Sequence, residues 1–481
     1  MRRSVSAGAF GEAKRTHGDR WSRHSLSRWK VGGAIGILLL GGCVPQRYGQ
    51  SVESSAIVGM GGAGRNLSLT SASPTRKREG LGGSSDEHPV VTLEELIAEA
   101  LRANPEVLEA RRRYEARLAR LPQASALPDP TLSIASVGNL LPFSVQIGDP
   151  SSARMVGIMQ EIPFPGKLAL RGKIAALEAE AERWAYEQTR RRVVSELKVA
   201  YYELYFVDKS LEIVRRIQGL LEQFLKIAEA RYQVGKAAQA DVLKAQMELS
   251  ILLERLAILE QRRASAVALL NALLNRPPET PFGRTAEVKK GTLPFSLEEM
   301  YRIAIANSPE LKQQARVMDS RHYQIALAQK EFYPDFAVGF QYMQRPAMPE
   351  MWGFTVSVRL PLYFWRKQRP ALEEASAEWA QARERHEGIR AQLLFRVKDL
   401  YLMAMTADRL LRLYEEGILP QATLALESSI AAYQVGTVDF LTLITNLITV
   451  LTYETSYYEQ LVTFQKSLAQ LEPLIGRELV R

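Results

Sequence analysis

The stretch Tyr-Gln-Val-Gly at residues 232–235 recurs letter for letter at residues 433–436, and this repetition decides the fold of the chain. A second matching pair lies upstream of each copy, where Leu-Glu-Glu at residues 93–95 returns at residues 297–299. The two pairs are separated by 201 and 204 residues, respectively. A chain of 481 residues with this internal period is predicted to contain two copies of one structural unit.

Long heptad-patterned segments surround both copies of Tyr-Gln-Val-Gly. Residues 166–232 contain no proline, and their apolar side chains from Val193 onward follow steps of three and four, the 3.5-residue period of a coiled coil. The pattern restarts after Gly235, and the second half repeats both arms around Gly436. The sequence therefore predicts two long antiparallel helical hairpins, with tips at residues 235–241 and 436–439.

Pro420 lies in the first arm of the second hairpin, and the first hairpin has no counterpart. Proline removes one helical hydrogen bond, and its ring clashes with the preceding turn. We therefore predict a helix kink at Pro420. The second hairpin is expected to be the one that bends or opens.

Two short segments of alternating polarity precede the long helix in each half. Alternation over about ten residues suits a tilted transmembrane strand, although a soluble sheet packed on helices would show the same pattern. The first half is weaker, with Leu132, Ile134 and residues 154–162. The predicted membrane-facing residues of the second half are Phe336, Val338, Phe340, Tyr342, Trp352, Phe354, Val356, Val358 and Leu360.

Four strands per chain are too few to close a barrel. An open sheet edge in lipid leaves backbone groups unsatisfied, at a cost of several kcal/mol for each group. A membrane barrel must therefore be shared among copies, with eight strands from two chains or twelve strands from three chains.

The N-terminal region has the layout of an export signal. Residues 1–30 carry eight Lys and Arg against two acidic residues, and the apolar run at residues 31–42 is too short to span a bilayer. A signal sequence is predicted at residues 1–42. Cys43, at the first mature position, resembles a lipidated bacterial cysteine, whereas an ordinary signal is the alternative. Residues 43–90 are rich in Gly, Ser and charge and are expected to form a flexible tether.

Composition argues against several classes of function. The net charge is +9, but residues 1–30 contribute +6 of it, so no nucleic-acid partner is predicted. Cys43 is the only cysteine, which excludes intrachain disulfides and sites with several thiolates. Neither a histidine pair at metal spacing nor a nucleotide-binding motif is present. No catalytic residue, metal site or cofactor is predicted.

The order of these features resembles the TolC-type outer-membrane efflux factors over residues 91–475. Residues 160–167, Gln-Glu-Ile-Pro-Phe-Pro-Gly-Lys, end the second strand, and Asp-Val-Leu at residues 241–243 follows the first tip. The resemblance implies a mainly α fold with β, in which each protomer combines long antiparallel coiled-coil helices with four transmembrane β-strands. Repeats at residues 91–290 and 291–481 would form one duct domain, and a homotrimer would share a 12-stranded barrel in the bacterial outer membrane and a helical tunnel in the periplasm.

The resemblance also implies a function without catalysis. The chain would be a passive conduit for substrates delivered by a periplasmic adaptor and an inner-membrane pump of the RND type. The Pro-Phe-Pro-Gly-Lys turn is similar to that of heavy-metal efflux members, which points to metal cations as cargo. Met343, Met348 and Met351, expected in the last strand-connecting loop, offer thioethers for Cu(I), with loop packing as the alternative. A lipid-anchored periplasmic coiled-coil scaffold without a pore is the competing function.

The family uses its hairpin tips to contact the adaptor and to close the periplasmic aperture. Seam packing is the alternative role for the tip tyrosines, and turn geometry is the alternative role for the glycines. Val438 stands where some members carry an arginine that locks the closed state, so a different bonding pattern is expected here. The candidate tip residues are Tyr232, Gly235, Asp241, Tyr433, Gly436 and Asp439.

Overall fold

Two copies of one arrangement, a helix pair followed by a strand pair and a long helical hairpin, make up the fold. The computed structural model describes residues 92–138, 147 and 151–479, so the predicted signal sequence and Cys43 lie outside the described residues. The first copy consists of α1 (Leu93–Ala103), α2 (Pro105–Ser125), β1 (Thr131–Val137), β2 (Ala153–Ile162), α3 (Lys167–Gln233) and α4 (Gln239–Leu273).

The second copy repeats this order with one irregularity. Its first long arm is interrupted by a π-helical segment at Tyr414–Ile418. The elements are α5 (Leu297–Asn307), α6 (Pro309–Lys330), β3 (Asp335–Gln344), β4 (Met351–Arg359), α7 (Gln368–Leu413), α8 (Leu419–Val435) and α9 (Phe440–Ile475).

The short helix pairs α1–α2 and α5–α6 do not follow from the heptad or alternation patterns. Their local signal is capping: the Asn104 side chain accepts from the backbone N–H groups of Glu106 and Val107, and the Ser308 side chain accepts from Leu311. In both places proline occupies the first helical position, where its missing N–H costs nothing. The matching Pro-Glu stretches at residues 105–106 and 309–310 are therefore helix starts.

All four strands form one antiparallel sheet in the order β1-β2-β3-β4. The two halves meet at its centre, where β2 pairs with β3 from Arg154 opposite Gln344 to Ile162 opposite Phe336. Within the described residues, β1 pairs only with β2 and β4 pairs only with β3, which leaves both outer strands as edges.

The long helices pack side by side in the order α4, α3, α9 and then α7 with α8. The predicted seam of α3 lies in this layer, and Val193, Leu197, Leu204, Val207 and Val214 are fully buried. One apolar cluster joins the short helices to the parts of the long helices that lie far from the hairpin tips. A second apolar cluster fills the hairpins toward their tips. Burying these seams is what holds helices of this length together.

No helix within residues 92–138 and 151–479 combines the length and the hydropathy needed to cross a bilayer.

Candidate functional site

Each hairpin tip turns on a glycine with a left-handed backbone. Gly235 has a φ of +71° and Gly436 has a φ of +83°, values that residues with a Cβ rarely adopt. Lys236 N–H donates to the Arg231 carbonyl at 2.8 Å, and Thr437 N–H donates to the Ala432 carbonyl at 3.0 Å. Both tips therefore end their first arm in the same Schellman geometry, which accounts for the two glycines by the turn alone.

The two tip aspartates hold different positions. Asp439 precedes α9 as its N-cap, and its carboxylate accepts from the Thr442 N–H at 3.2 Å. This hydrogen bonding with Thr442 lowers the pKa of Asp439. Asp241 instead lies inside the first turn of α4, which has Ala238 as an N-cap without a side-chain bond. The aspartates are therefore not equivalent parts of the repeat.

The repeated tyrosines also differ in environment. Tyr433 is 6% exposed and packs against the Phe440 ring at a centroid distance of 5.6 Å, whereas Tyr232 is 46% exposed. Seam packing thus describes Tyr433. Tyr232 leaves the seam and presents its ring on the surface of the first tip.

Arg231 joins the two tips, and the sequence patterns gave no sign of it. Its guanidinium lies over the Tyr433 ring at 4.2 Å from the centroid, and it donates to the Gln434 carbonyl at 3.1 Å. A cation–π contact of this kind contributes about 0.5–2 kcal/mol. Arg231 belongs to the first hairpin and both of its partners belong to the second, so this contact ties the hairpins together at their free end.

Pro420 lies in the first turn of α8, directly after the π-helical segment. A π-helical turn widens the helix and takes up one additional residue, which relieves the clash that proline makes with the preceding turn. The Tyr457 hydroxyl of α9 donates to Glu415 in this segment at 2.8 Å, and the rings of Tyr414 and Tyr453 lie 6.4 Å apart. The irregular turn is therefore fastened to α9 from two sides.

One face of the sheet is apolar and exposed. Phe336 lies opposite Val358, and Phe340 lies opposite Phe354, so the predicted residues of β3 and β4 share a face. Trp352, Phe354 and Val356 are 64%, 73% and 59% exposed.

Two predictions about the last strands differ from the structure. Leu360 lies just beyond β4, which ends at Arg359, so the alternation predicted past that point is not strand. The placement predicted for Met343 and Met351 is wrong as well, because they lie in β3 and β4 and only Met348 lies in the loop.

A buried lysine at the junction of sheet and helices is a feature that the sequence patterns missed. Lys167, the first residue of α3, is 1% exposed, and its Nζ lies 2.9 Å from Asp335 Oδ1 and 3.0 Å from Glu331 Oε2. The Phe164 N–H donates to the same Asp335 oxygen at 2.8 Å. These contacts fix the end of β2, the start of β3 and the start of α3 to one another.

In the described part of the chain, no group of three or more His, Cys, Asp and Glu side chains is arranged to hold a metal ion.

The sequence profile of the Outer membrane efflux protein family matches residues 96–276 and 300–477. The chain belongs to this family. Members of the family are channel proteins of the outer membrane and not enzymes, so the chain is an outer-membrane protein that takes part in efflux. No curated protein sequence matches the chain.

Solved structures of outer-membrane channels share this fold. The channel OprN superposes with a TM-score of 0.70 at 16% identity, over 80% of this chain and 89% of OprN. VceC from Vibrio cholerae gives a TM-score of 0.69 at 17% identity, over 80% and 96% of the two chains. MtrE from Neisseria gonorrhoeae, in an open state, gives a TM-score of 0.68 at 16% identity, over 85% and 98%. The predicted fold class is confirmed.

Proposed function

We propose that three copies of this chain form the outer-membrane channel of a tripartite efflux system. The channel is a passive conduit from the periplasm to the exterior, and its substrates are delivered by a periplasmic adaptor and an inner-membrane pump of the RND type. The Pro-Phe-Pro-Gly-Lys turn is similar to that of heavy-metal efflux members, and this similarity favours metal cations as the cargo. Cys43 carries lipid that adds an anchor in the outer membrane, ahead of the tether at residues 43–90.

The observation that carries this proposal is a pair of open edges. The sheet ends at β1 and β4, which have no further strand partner in the described residues, and its exposed apolar face suits lipid. In lipid each unpaired backbone group costs several kcal/mol, so the edges must be covered. Pairing β1 of one copy with β4 of the next is a head-to-tail contact, which closes into a ring when the rotation per copy allows it.

The helix layer ends in the same way as the sheet. Along α4 the side chains of Leu243, Met247, Ile251 and Ile258 recur at steps of four and seven, and all are at least 45% exposed. On the opposite edge, Phe395 and Leu402 of α7 are 68% and 50% exposed. These stripes match coiled-coil spacing and have no partner helix among the described residues. The same head-to-tail contact that pairs β1 with β4 would bring α4 of one copy against α7 of the next.

The tips are assigned to the periplasmic end, where the adaptor binds and the aperture closes. Tyr232 is exposed there, whereas Tyr433 and Arg231 hold the two hairpins together. We expect a large side chain or an opposing charge at Gly235 or Gly436 to impair efflux while the amount of trimer stays unchanged.

Disulfide cross-linking tests the ring. Cysteines are placed in pairs, one in β1 and one in β4 of the same chain, and the oxidised outer-membrane protein is separated on non-reducing gels. Closure predicts bands at two and three chain masses and none above. A matched pair at Met159 and Gly339, which are direct partners within one chain, should give no oligomer band. A ladder beyond three copies would contradict the closed ring, and the absence of any cross-link would favour the scaffold without a pore.

A further inference from the structure

Three methionines form a row across the sheet. Met155 of β2 lies directly opposite Met343 of β3, and Met343 lies directly opposite Met351 of β4. Opposed residues on neighbouring strands carry their side chains on the same face, with Cβ atoms about 4.5–5.5 Å apart. A methionine side chain has three rotatable bonds, so the three thioethers can approach a common point.

The row lies on the face opposite to the apolar one. Side chains alternate between the two faces along a strand. The neighbouring row, in which Val156 pairs with Tyr342 and Tyr342 with Trp352, belongs to the apolar face. The methionines therefore share their face with small and polar residues. In the proposed channel this face lines the passage.

The surroundings of the row favour a soft cation over a hard one. The next row on this face is Ser133, Gly157, Gln341 and Gly353, in which the Gln341 side chain lies over Gly353 and the Ser133 hydroxyl lies beside Gly157. Among the described residues these two rows contain no carboxylate, although hard divalent cations prefer oxygen ligands with charge. Neutral thioethers instead select soft ions such as Cu(I).

The thioethers are accessible to an ion from solution. Met351 is 46% exposed, and Met155 and Met343 are half-buried. Met159 follows one row beyond the glycines on the same face at 45% exposure, and Met348 lies in the loop that joins β3 and β4. Met351 and Met159 are thus open to solvent, whereas Met155 and Met343 are partly covered on a face that also carries small and polar residues.

We propose that Met155, Met343 and Met351 form a binding site for a soft monovalent metal ion, Cu(I) or Ag(I), on the inner face of the strands. The site deepens the proposed function, on which it rests for its position in the passage. Cargo in the passage would meet this site near the β3–β4 loop. Met159 would offer a further thioether on the same face.

Binding to the purified full chain in detergent tests the site. Cu(I) is offered under anaerobic conditions in competition with a chromophoric chelator, and Ag(I) binding is measured by calorimetry. The variant M155L/M343L/M351L keeps apolar volume and removes three sulfur atoms. Because loss of even an outer-shell partner weakens metal sites by about 10–100-fold, we expect its affinity to fall by at least about tenfold.

The matched control is M318L/M403L/M405L, which removes three methionines from α6 and α7, far from the strands, and should bind as the wild type does. Cys43 is unchanged in all proteins and contributes equally. If the triple variant fails to assemble, M343L alone removes the central sulfur and should lose part of the affinity. Equal binding by wild type and variant, or no binding by the wild type, would overturn the site.

Conductance of the same proteins in planar bilayers separates this proposal from the proposed function. Channels in both proteins with loss of binding only in the variant support both proposals. Channels without a difference in binding overturn the metal site alone. Binding that depends on the three methionines in a protein without channels would leave the metal site standing and overturn the conduit.

Discussion

The two helical hairpins come from one repeated unit, yet the second contains one residue more than the first between its seam and its tip. Buried Leu197, Leu204 and Leu211 of α3 correspond to buried Val397, Ala404 and Leu411 at a separation of 200 residues. At the tips the separation is 201 residues, because Tyr-Gln-Val-Gly at 232–235 corresponds to 433–436.

The additional residue is taken up by the π-helical segment Tyr414–Ile418. A π-helical turn is the usual result of one residue inserted into a helix, and it keeps the seam in register on both sides. The first hairpin has a continuous α3 of 67 residues and no such turn. The same arm is thus continuous in one copy and locally irregular in the other, and we propose residues 414–420 as the bending point of the second hairpin.

The largest effect is expected where the first arms begin. Lys167→Met leaves Asp335 without its buried ammonium partner, and breaking a buried pair costs about 3–5 kcal/mol. The corresponding arm α7 begins at Gln368, whose Oε1 is buried without a hydrogen-bond partner among the described residues. Gln368→Met should be neutral or stabilising. Urea unfolding in detergent measures both, and equal losses would contradict this difference between the hairpins.

The next effect comes from making the second arm like the first. Deleting Gly417 and replacing Pro420 by alanine should give one continuous helix. Because the π-helical turn already relieves part of the clash, the straight arm gains less than the about 3 kcal/mol that proline costs in a regular helix, and the bent population falls by at most roughly two powers of ten. We expect normal assembly and a strongly reduced open probability in bilayer recordings.

The control for this variant is Gly219→Ala in α3, where an added Cβ meets no atom within 4 Å. It should raise helix stability by about 1 kcal/mol and leave the open probability unchanged. A large effect of Gly219→Ala on opening, or none of the deletion, would place the bending point elsewhere.

A smaller effect is expected at the contact between the tips. Arg231→Met removes the cation over Tyr433 and the bond to Gln434, together about 1–3 kcal/mol. The tips should separate more readily, so the open probability should rise. Arg231→Lys should restore this only in part, because the planar guanidinium is lost. Arg262→Met on α4 is the exposed control. An unchanged open probability in Arg231→Met would show that the contact does not hold the tips.

The smallest effect is expected at the bond that fastens the π-helical segment. Tyr457→Phe removes one hydrogen bond to Glu415 and costs about 1 kcal/mol, and only the second hairpin should loosen. Tyr232→Phe in the exposed ring of the first tip should change nothing. Hydrogen exchange of residues 410–420 provides the readout, and equal protection in Tyr457→Phe and wild type would contradict the role of this bond.

Sequence patterns predicted the long helices well because their seams are periodic over many turns. The α3 seam from Val193 to Ala228 and the alternation of Phe336 to Tyr342 each reflect one buried or apolar face, which a single chain can specify. Pro420 predicted an irregularity, but whether it becomes a kink, a break or a π-helical turn depends on how the two copies keep register.

Periodic sequence patterns could not predict contacts between segments that are distant in the chain. Arg231 with Tyr433 and Lys167 with Asp335 join residues about 170–200 positions apart, and nothing in their local sequence distinguishes them from surface charges. The short helices α1, α2, α5 and α6 could have been found from their caps, since Asn-Pro-Glu and Ser-Pro-Glu are local signals. The row of methionines required the strand register, which only the fold supplies.

The central claim is that the open edges of one chain are completed by other copies around a passage. Mass measurement of the purified mature protein in detergent, coupled to single-channel recording of the same sample, tests it most directly. The account predicts a three-copy complex that gives discrete conductance steps in planar bilayers. A monomer that stays in solution without detergent and gives no conductance would contradict it.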